Sequence, residues 1–191
     1  KTIILCMKAA LAHKFFPNYN ILFVFNTQSM YNQVEDLITK YYFNETGKMP
    51  DFSKLNILHA WGGSNKPGVY YNTAKSIGIQ PLNYMNVRRS NDPLDSIYSD
   101  LINNHKHLFE PIYDMVLIDE AQDYGEFTFY VLKKMFKNST FSIYGDLAQS
   151  LYSYRSIKNW ESIIPIFNKL EIERLNKSYR TTIEIMDEAN K

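Results

Sequence analysis

The chain has 191 residues, with 45% hydrophobic and 21% charged side chains, so it can bury one substantial core and is not a disordered polymer. A net charge of +1 excludes a uniformly basic polyanion binder, and any nucleic-acid groove must be a local patch. A single cysteine, Cys6, excludes an internal disulfide and a multi-cysteine zinc site. No apolar run reaches membrane-spanning length.

In chain order, residues 2–14 predict a helix rich in Ala, Leu and Met and stopped by Phe15-Phe16-Pro17. The apolar run 20–25 predicts a strand, followed by the polar turn Asn26-Thr27-Gln28-Ser29. Met30, Val34, Leu37, Ile38 and Tyr41 then share one helical stripe. Residues 55–61 predict a shorter strand. Gly62 to Gly68 reads as loop; it lacks the spacing of a phosphate loop, and Pro67 follows Lys66 where a helix should begin. Signals stay weak up to Asn91, and Arg88 and Arg89 are expected in a solvated loop.

Asp92-Pro93 marks a helix start, with apolar residues at helical spacing up to Phe109. Met115 to Ile118 predict a strand buried on both faces, ending in Asp119-Glu120-Ala121-Gln122-Asp123. A helix is predicted over 126–136 with Phe127, Tyr130, Val131 and Met135 inward. A strand is predicted over 141–144, ending in Gly145-Asp146. Residues 157–168 predict a helix interrupted at Pro165. The alternating run 170–175 predicts a strand, and Thr181 to Glu184 a helix-capping box. Strands alternating with helices predict an α/β fold with a parallel sheet flanked by helices.

Two adjacent carboxylates at the carboxyl end of a buried strand are costly unless they bind a metal or move protons. Alone, such an acidic turn could equally cap the next helix. Three other stretches bear on the choice. Lys1-Thr2 stand at a helix start, where free N–H groups favour anions. Gly145-Asp146-Leu147-Ala148-Gln149-Ser150-Leu151-Tyr152 follows the strand expected beside the central one. Tyr179-Arg180 offers a stacking ring and a cation.

Taken in order, these motifs resemble the ATPase core of UvrD/Rep-like superfamily 1 DNA helicases, in which Gly-Lys-Thr, Asp-Glu-x-Gln-Asp, Gly-Asp-x-x-Gln-Ser-Ile-Tyr and a Tyr-Arg pair follow one another. The resemblance implies a RecA-like P-loop NTPase domain over 1–168. It also implies a small inserted accessory region at about 66–108 and the truncated start of a second RecA-like domain at 169–191. It implies ATP and Mg2+ as cofactors and an ATP hydrolase activity, weak in this stretch alone.

By the same resemblance, Lys1 contacts the β- and γ-phosphates, Thr2 and Asp119 hold magnesium, and Glu120 is the catalytic base. Gln149 senses the γ-phosphate, Tyr179 stacks on adenine and Arg180 is an arginine finger. Asn26, Thr27, His59, Trp61, Tyr152 and Tyr154 fall at nucleic-acid positions, with Arg155 beside them. The implied partners are single-stranded DNA, with RNA possible, and the remainder of the same chain including the second RecA-like domain. The implied location is cytoplasmic.

The implied function is ATP-driven movement along single-stranded nucleic acid, 3′ to 5′. A second reading keeps the ATP site in a switch or sensor subunit of a nuclease or defence complex that does not unwind. A third, a metal-dependent nuclease on Asp119, Glu120 and Asp123, leaves Gln149, Tyr179 and Arg180 without a role.

Overall fold

The computed structural model describes residues 1–149, 157, 159–167 and 171–173. Four parallel strands form one sheet in the order β2-β1-β3-β4: β1 (Ile21–Phe25), β2 (Leu55–His59), β3 (Tyr113–Ile118) and β4 (Phe136–Ile143). All five residues of β1 are buried, because helices cover both faces of the sheet. The predicted α/β class is the observed one.

The alternation of side chains along each strand sorts the core into two layers. Ile21, Phe23, Phe25, Met115 and Leu117 pack against α1 (Thr2–Phe15) and α2 (Met30–Thr46). Leu22, Val24, Val116 and Ile118 pack against the other layer, built by α3 (Val69–Ser76), α5 (Pro93–His105), α6 (Glu126–Lys134) and α7 (Ile164–Phe167). A one-turn helix, α4 (Tyr84–Val87), precedes α5.

From β1 the chain crosses through α2 to β2 on one side. From β3 it crosses through α6 to β4 on the other. The strand order therefore reverses between β1 and β3. In an open parallel sheet the crevice beyond the carboxyl ends at such a reversal is where ligands sit. Phe25-Asn26 and Ile118-Asp119 end there, tied by a hydrogen bond from Asp119 N–H to Val24 O at 2.9 Å.

Several boundaries differ from expectation. α6 stops at Lys134, and β4 already begins at Phe136, so the predicted strand start at 141 lies inside a longer one. On α6 the fully buried residues are Thr128, Phe129, Val131 and Leu132, whereas Tyr130 is 42% exposed. Of the predicted inward residues, Val131 and Met135 are buried and Phe127 packs against the core, while Tyr130 is turned outward and Thr128, Phe129 and Leu132 are buried as well. The 157–168 helix is broken as expected. Asn159 caps a 3-10 turn over Trp160–Ile163 by accepting from Ser162 N–H at 2.9 Å, and Pro165 sits in the first turn of α7, where no N–H is needed. Glu171, Ile172 and Glu173 are exposed and form no strand. The predicted cap at Thr181 lies outside the described residues.

Residues 69–91, weak in sequence, hold α3 and α4. Val69, Tyr70, Thr73 and Ala74 bury one face of α3. Tyr70 and Tyr98 meet edge to face at 5.9 Å, and the Tyr98 hydroxyl donates to Ala60 O at 2.6 Å. Arg88 and Arg89 are exposed at the end of α4. No helix among the described residues is long and apolar enough to cross a membrane.

Candidate nucleotide and nucleic-acid site

Three stretches far apart in sequence converge at the carboxyl edge of β3 and β4. Lys1 Nζ forms an ion pair with Asp146 Oδ2 at 2.7 Å. The same oxygen accepts from Gln149 Nε2 at 2.9 Å. Asp146 N–H donates to Gln122 Oε1 at 2.9 Å, and Gln122 Nε2 donates to Glu120 Oε2 at 2.8 Å. A single polar web thus runs from Lys1 through Asp146 and Gln122 to Glu120, with Gln149 attached.

The backbone makes this web possible in two places. Gly145 lets Gln122 approach, since a Cβ there would sit 2.9 Å from Gln122 Oε1 and 2.7 Å from the Trp160 ring. Glu120 has φ 49° and ψ 47°, the only non-glycine residue at positive φ among the described residues. A left-handed glutamate costs on the order of 1 kcal/mol or more, and such strain persists where the surroundings hold it. Here Ala121 N–H donates to Tyr144 O and Asp123 N–H to Glu120 O. In this turn the Glu120 side chain meets Gln122.

Asp119 is fully buried, and neither carboxylate oxygen has a hydrogen bond of good geometry among the described residues. Burial pushes its pKa above the usual carboxylate range. The nearby Thr2 hydroxyl pulls it the other way, the Glu120 charge adds to the rise, and the Glu120 N–H opposes it. A buried carboxylate with two orphaned oxygens fits a cation-binding role, because a divalent ion would satisfy both. Thr2, 5% exposed at the first position of α1, is the neighbouring hard oxygen.

No cluster of three or more His, Cys, Asp or Glu suited to a metal occurs among the described residues. One carboxylate and one hydroxyl instead match magnesium, which keeps waters and shares substrate phosphates. Asp123 is likewise raised by burial and by the Glu120 charge. Asp146 is held below the usual range, first by its hydrogen bond from Lys1. Cys6, on the buried face of α1, is pushed up to about 12 chiefly by burial and is inert.

At the carboxyl ends of β1 and β2, Thr27 is exposed and Asn26 half-buried. His59 is 8% exposed and both its ring nitrogens are used within the protein. Nε2 meets Asn26 O at 2.8 Å, and Nδ1 accepts from Trp61 N–H at 3.0 Å and Gly62 N–H at 3.2 Å. Burial lowers its basicity, matching a neutral imidazole protonated on Nε2. In this geometry His59 fastens the turn after β1 to the turn after β2 and has no polar atom to spare for a ligand.

Trp61 is half-buried, its Nε1 donating to Leu82 O at 3.3 Å. Gly62 and Gly68 approach so closely that a Cβ on either would sit about 2.4 Å from the other's backbone. Gln28 and residues 62–66 line an open cleft of about 340 Å³ beside Trp61. Tyr152, Tyr154, Arg155, Tyr179 and Arg180 lie outside the described residues.

Sequence reading named Gln122 and Asp146 without a role, and both prove to be the joints of the web. The signal was a polar residue just past each acidic or glycine turn, Gln122 two positions after Glu120 and Asp146 one after Gly145. Asp95 was missed altogether. It reaches from α5 to cap α6, accepting from Thr128 N–H at 3.0 Å and Thr128 Oγ1 at 3.3 Å. A Cβ at Gly125 would collide with its carboxylate, so Gly125 was the available clue.

Residues 75–164 match the family described as the UvrD/REP helicase N-terminal domain. The chain is similar to a probable DNA helicase II homolog of Mycoplasma capricolum subsp. capricolum, 39% identical over 83 residues, covering 41% of this chain and 11% of that protein. It is also similar to the ATP-dependent DNA helicase srs2 of Schizosaccharomyces pombe, 31% identical over 91 residues, covering 46% and 9%. It thus spans about a tenth of the length of these relatives. No solved structure matches.

Proposed function

We propose that this chain, whose residues 75–164 match the UvrD/REP helicase N-terminal domain, is part of a motor that couples ATP hydrolysis to movement along single-stranded DNA. The observation that carries the reading is the web joining Lys1, Asp146, Gln149, Gln122 and Glu120 beside the orphaned Asp119 carboxylate. The names of both relatives, each a DNA helicase, favour DNA over RNA.

Magnesium, when bound, neutralises phosphate charge; Thr2 and Asp119 are the residues that would hold it. Lys1 exchanges its partner Asp146 for the β- and γ-phosphates. Glu120 takes the proton of the attacking water. Gln122 holds one of its oxygens and fixes its direction, and the other has no hydrogen bond among the described residues. Gln149, exposed and bonded among the described residues to Asp146, is free to change partner when the γ-phosphate leaves.

Tyr179 and Arg180 keep the roles the resemblance gives them, adenine stacking and a γ-phosphate cation. Asn26 and Thr27 meet the strand backbone, Trp61 a base, and Tyr152 and Tyr154 further bases, while His59 holds Asn26 and Trp61 in place. The 3′-to-5′ direction and the division at 168/169 belong to the same proposal, as does a second RecA-like domain closing the cleft.

The test is ATP turnover by the full-length protein with and without oligo(dT), beside displacement of a labelled complementary strand. Strand-stimulated turnover with displacement is expected. Turnover that ignores single strands contradicts a motor and leaves an ATP-driven switch.

A further inference from the structure

Between Phe52 and Asn91 the chain places five basic residues, Lys54, Lys66, Lys75, Arg88 and Arg89, and none of its 20 acidic ones. Against a whole-chain charge of +1 this is a strong local bias. The same stretch presents Tyr84, 59% exposed, and Met85, 62% exposed, on α4.

α4 is short but firmly held. Asn83 and Asn86 cap it reciprocally. Leu82, just before it, donates its N–H to the Tyr70 hydroxyl at 2.9 Å and accepts from Trp61 Nε1 at its carbonyl. The Tyr84 ring stands beside the Trp61 ring, with centroids 6.5 Å apart and planes at 52°. Arg88 extends over the Met85 sulfur at 4.0 Å. Neither Arg88 nor Arg89 has an ion-pair partner among the described residues. Trp61 adjoins Gly62, so this patch shares an edge with the cleft lined by Gln28, Ser64, Asn65 and Lys66.

Folding explains none of this exposure. A fixed, exposed aromatic ring beside two adjacent unpaired guanidiniums suits a ligand that alternates flat apolar faces with negative charges. Single-stranded nucleic acid has that chemistry. The polar lining of the adjoining cleft favours it over an acidic, apolar protein surface.

We propose that Tyr84, backed by Trp61, is a stacking platform for one base of a single strand, and that Arg88 and Arg89 hold the flanking phosphates. The assignment rests on the nucleic-acid reading above and extends the strand's path to residues that reading does not use.

The experiment is fluorescence anisotropy of the full-length protein with a labelled dT20 strand at several salt concentrations. Tyr84→Ala should weaken binding roughly tenfold without changing the salt dependence, and Tyr84→Phe should restore it. Arg88→Ala/Arg89→Ala should lower the slope of log affinity against log salt by about 1.4, the loss of two phosphate contacts on a single strand. Thermal midpoints should not move, because all three side chains are exposed. Wild-type affinity in Tyr84→Ala, equal losses in Tyr84→Ala and Tyr84→Phe, or an unchanged slope in the arginine variant would each overturn the platform, leaving the patch to a protein partner. Failure of the wild-type protein to bind dT20 would overturn the nucleic-acid reading itself.

Discussion

Lys1 Nζ lies 2.7 Å from Asp146 Oδ2, joining the residue that opens α1 to the turn that follows β4. Both partners are about one-third exposed, so as a surface ion pair this contributes little stability. Its meaning is positional. It sets the ammonium in the same web as Glu120 and beside the helix start that carries Thr2, and a triphosphate can compete for it.

Gly145→Ala tests the joint of that web. Gly145 has no positive φ, so the effect is steric: the new methyl meets Gln122 and Trp160. A loss of roughly 1–3 kcal/mol is expected in urea unfolding, with a larger fall in ATP turnover because Gln122 releases Glu120. Full turnover in Gly145→Ala would show that the Gln122 bridge is dispensable.

Asp119→Asn separates stability from function. Removing a buried charge should raise the unfolding free energy of the ligand-free protein in urea by on the order of 1 kcal/mol. The thermal stabilisation given by MgATP should be lost with it. A less stable ligand-free variant would show that the carboxylate is a structural acceptor instead.

Asp95 predicts a pH dependence. Burial pushes its carboxyl up to about 6, with Thr128 opposing and Asp92 adding. The unfolded chain ionises first as pH rises, so this group's contribution is full below about 4 and is lost through about 6. Relative to wild type, Asp95→Asn should therefore gain stability between pH 4 and 7, by no more than about 3 kcal/mol. A difference that stays flat over that range, measured by denaturant unfolding, would contradict the buried-carboxylate account.

Much of this architecture was legible because its signals are local. β1 is an unbroken apolar run and β3 carries one from Met115 to Ile118, and Asp92-Pro93 opens α5 as an N-cap and first-turn proline should, with Asp92 accepting from Asp95 N–H at 3.0 Å. What was hidden depends on distant packing. α3 is an eight-residue helix whose tyrosine and threonine are buried by α5 and Met135, which its composition does not announce. Met135-Phe136 continues an apolar pattern from helix into strand, so the boundary between α6 and β4 is set by pairing with Tyr113. The motif residues were visible, but that His59 is a fastener follows only from the approach of Asn26 O and two N–H groups to its ring.

The most direct measurement is MgATP binding and hydrolysis by Glu120→Gln in the full-length protein, with single-stranded DNA present. Gln keeps the shape and can still meet Gln122, but it cannot take a proton. Binding within about threefold of wild type and a kcat lower by roughly 10²-fold or more is the predicted result. Turnover near the wild-type rate would contradict the assignment of Glu120 as the base, and with it the site's central chemistry.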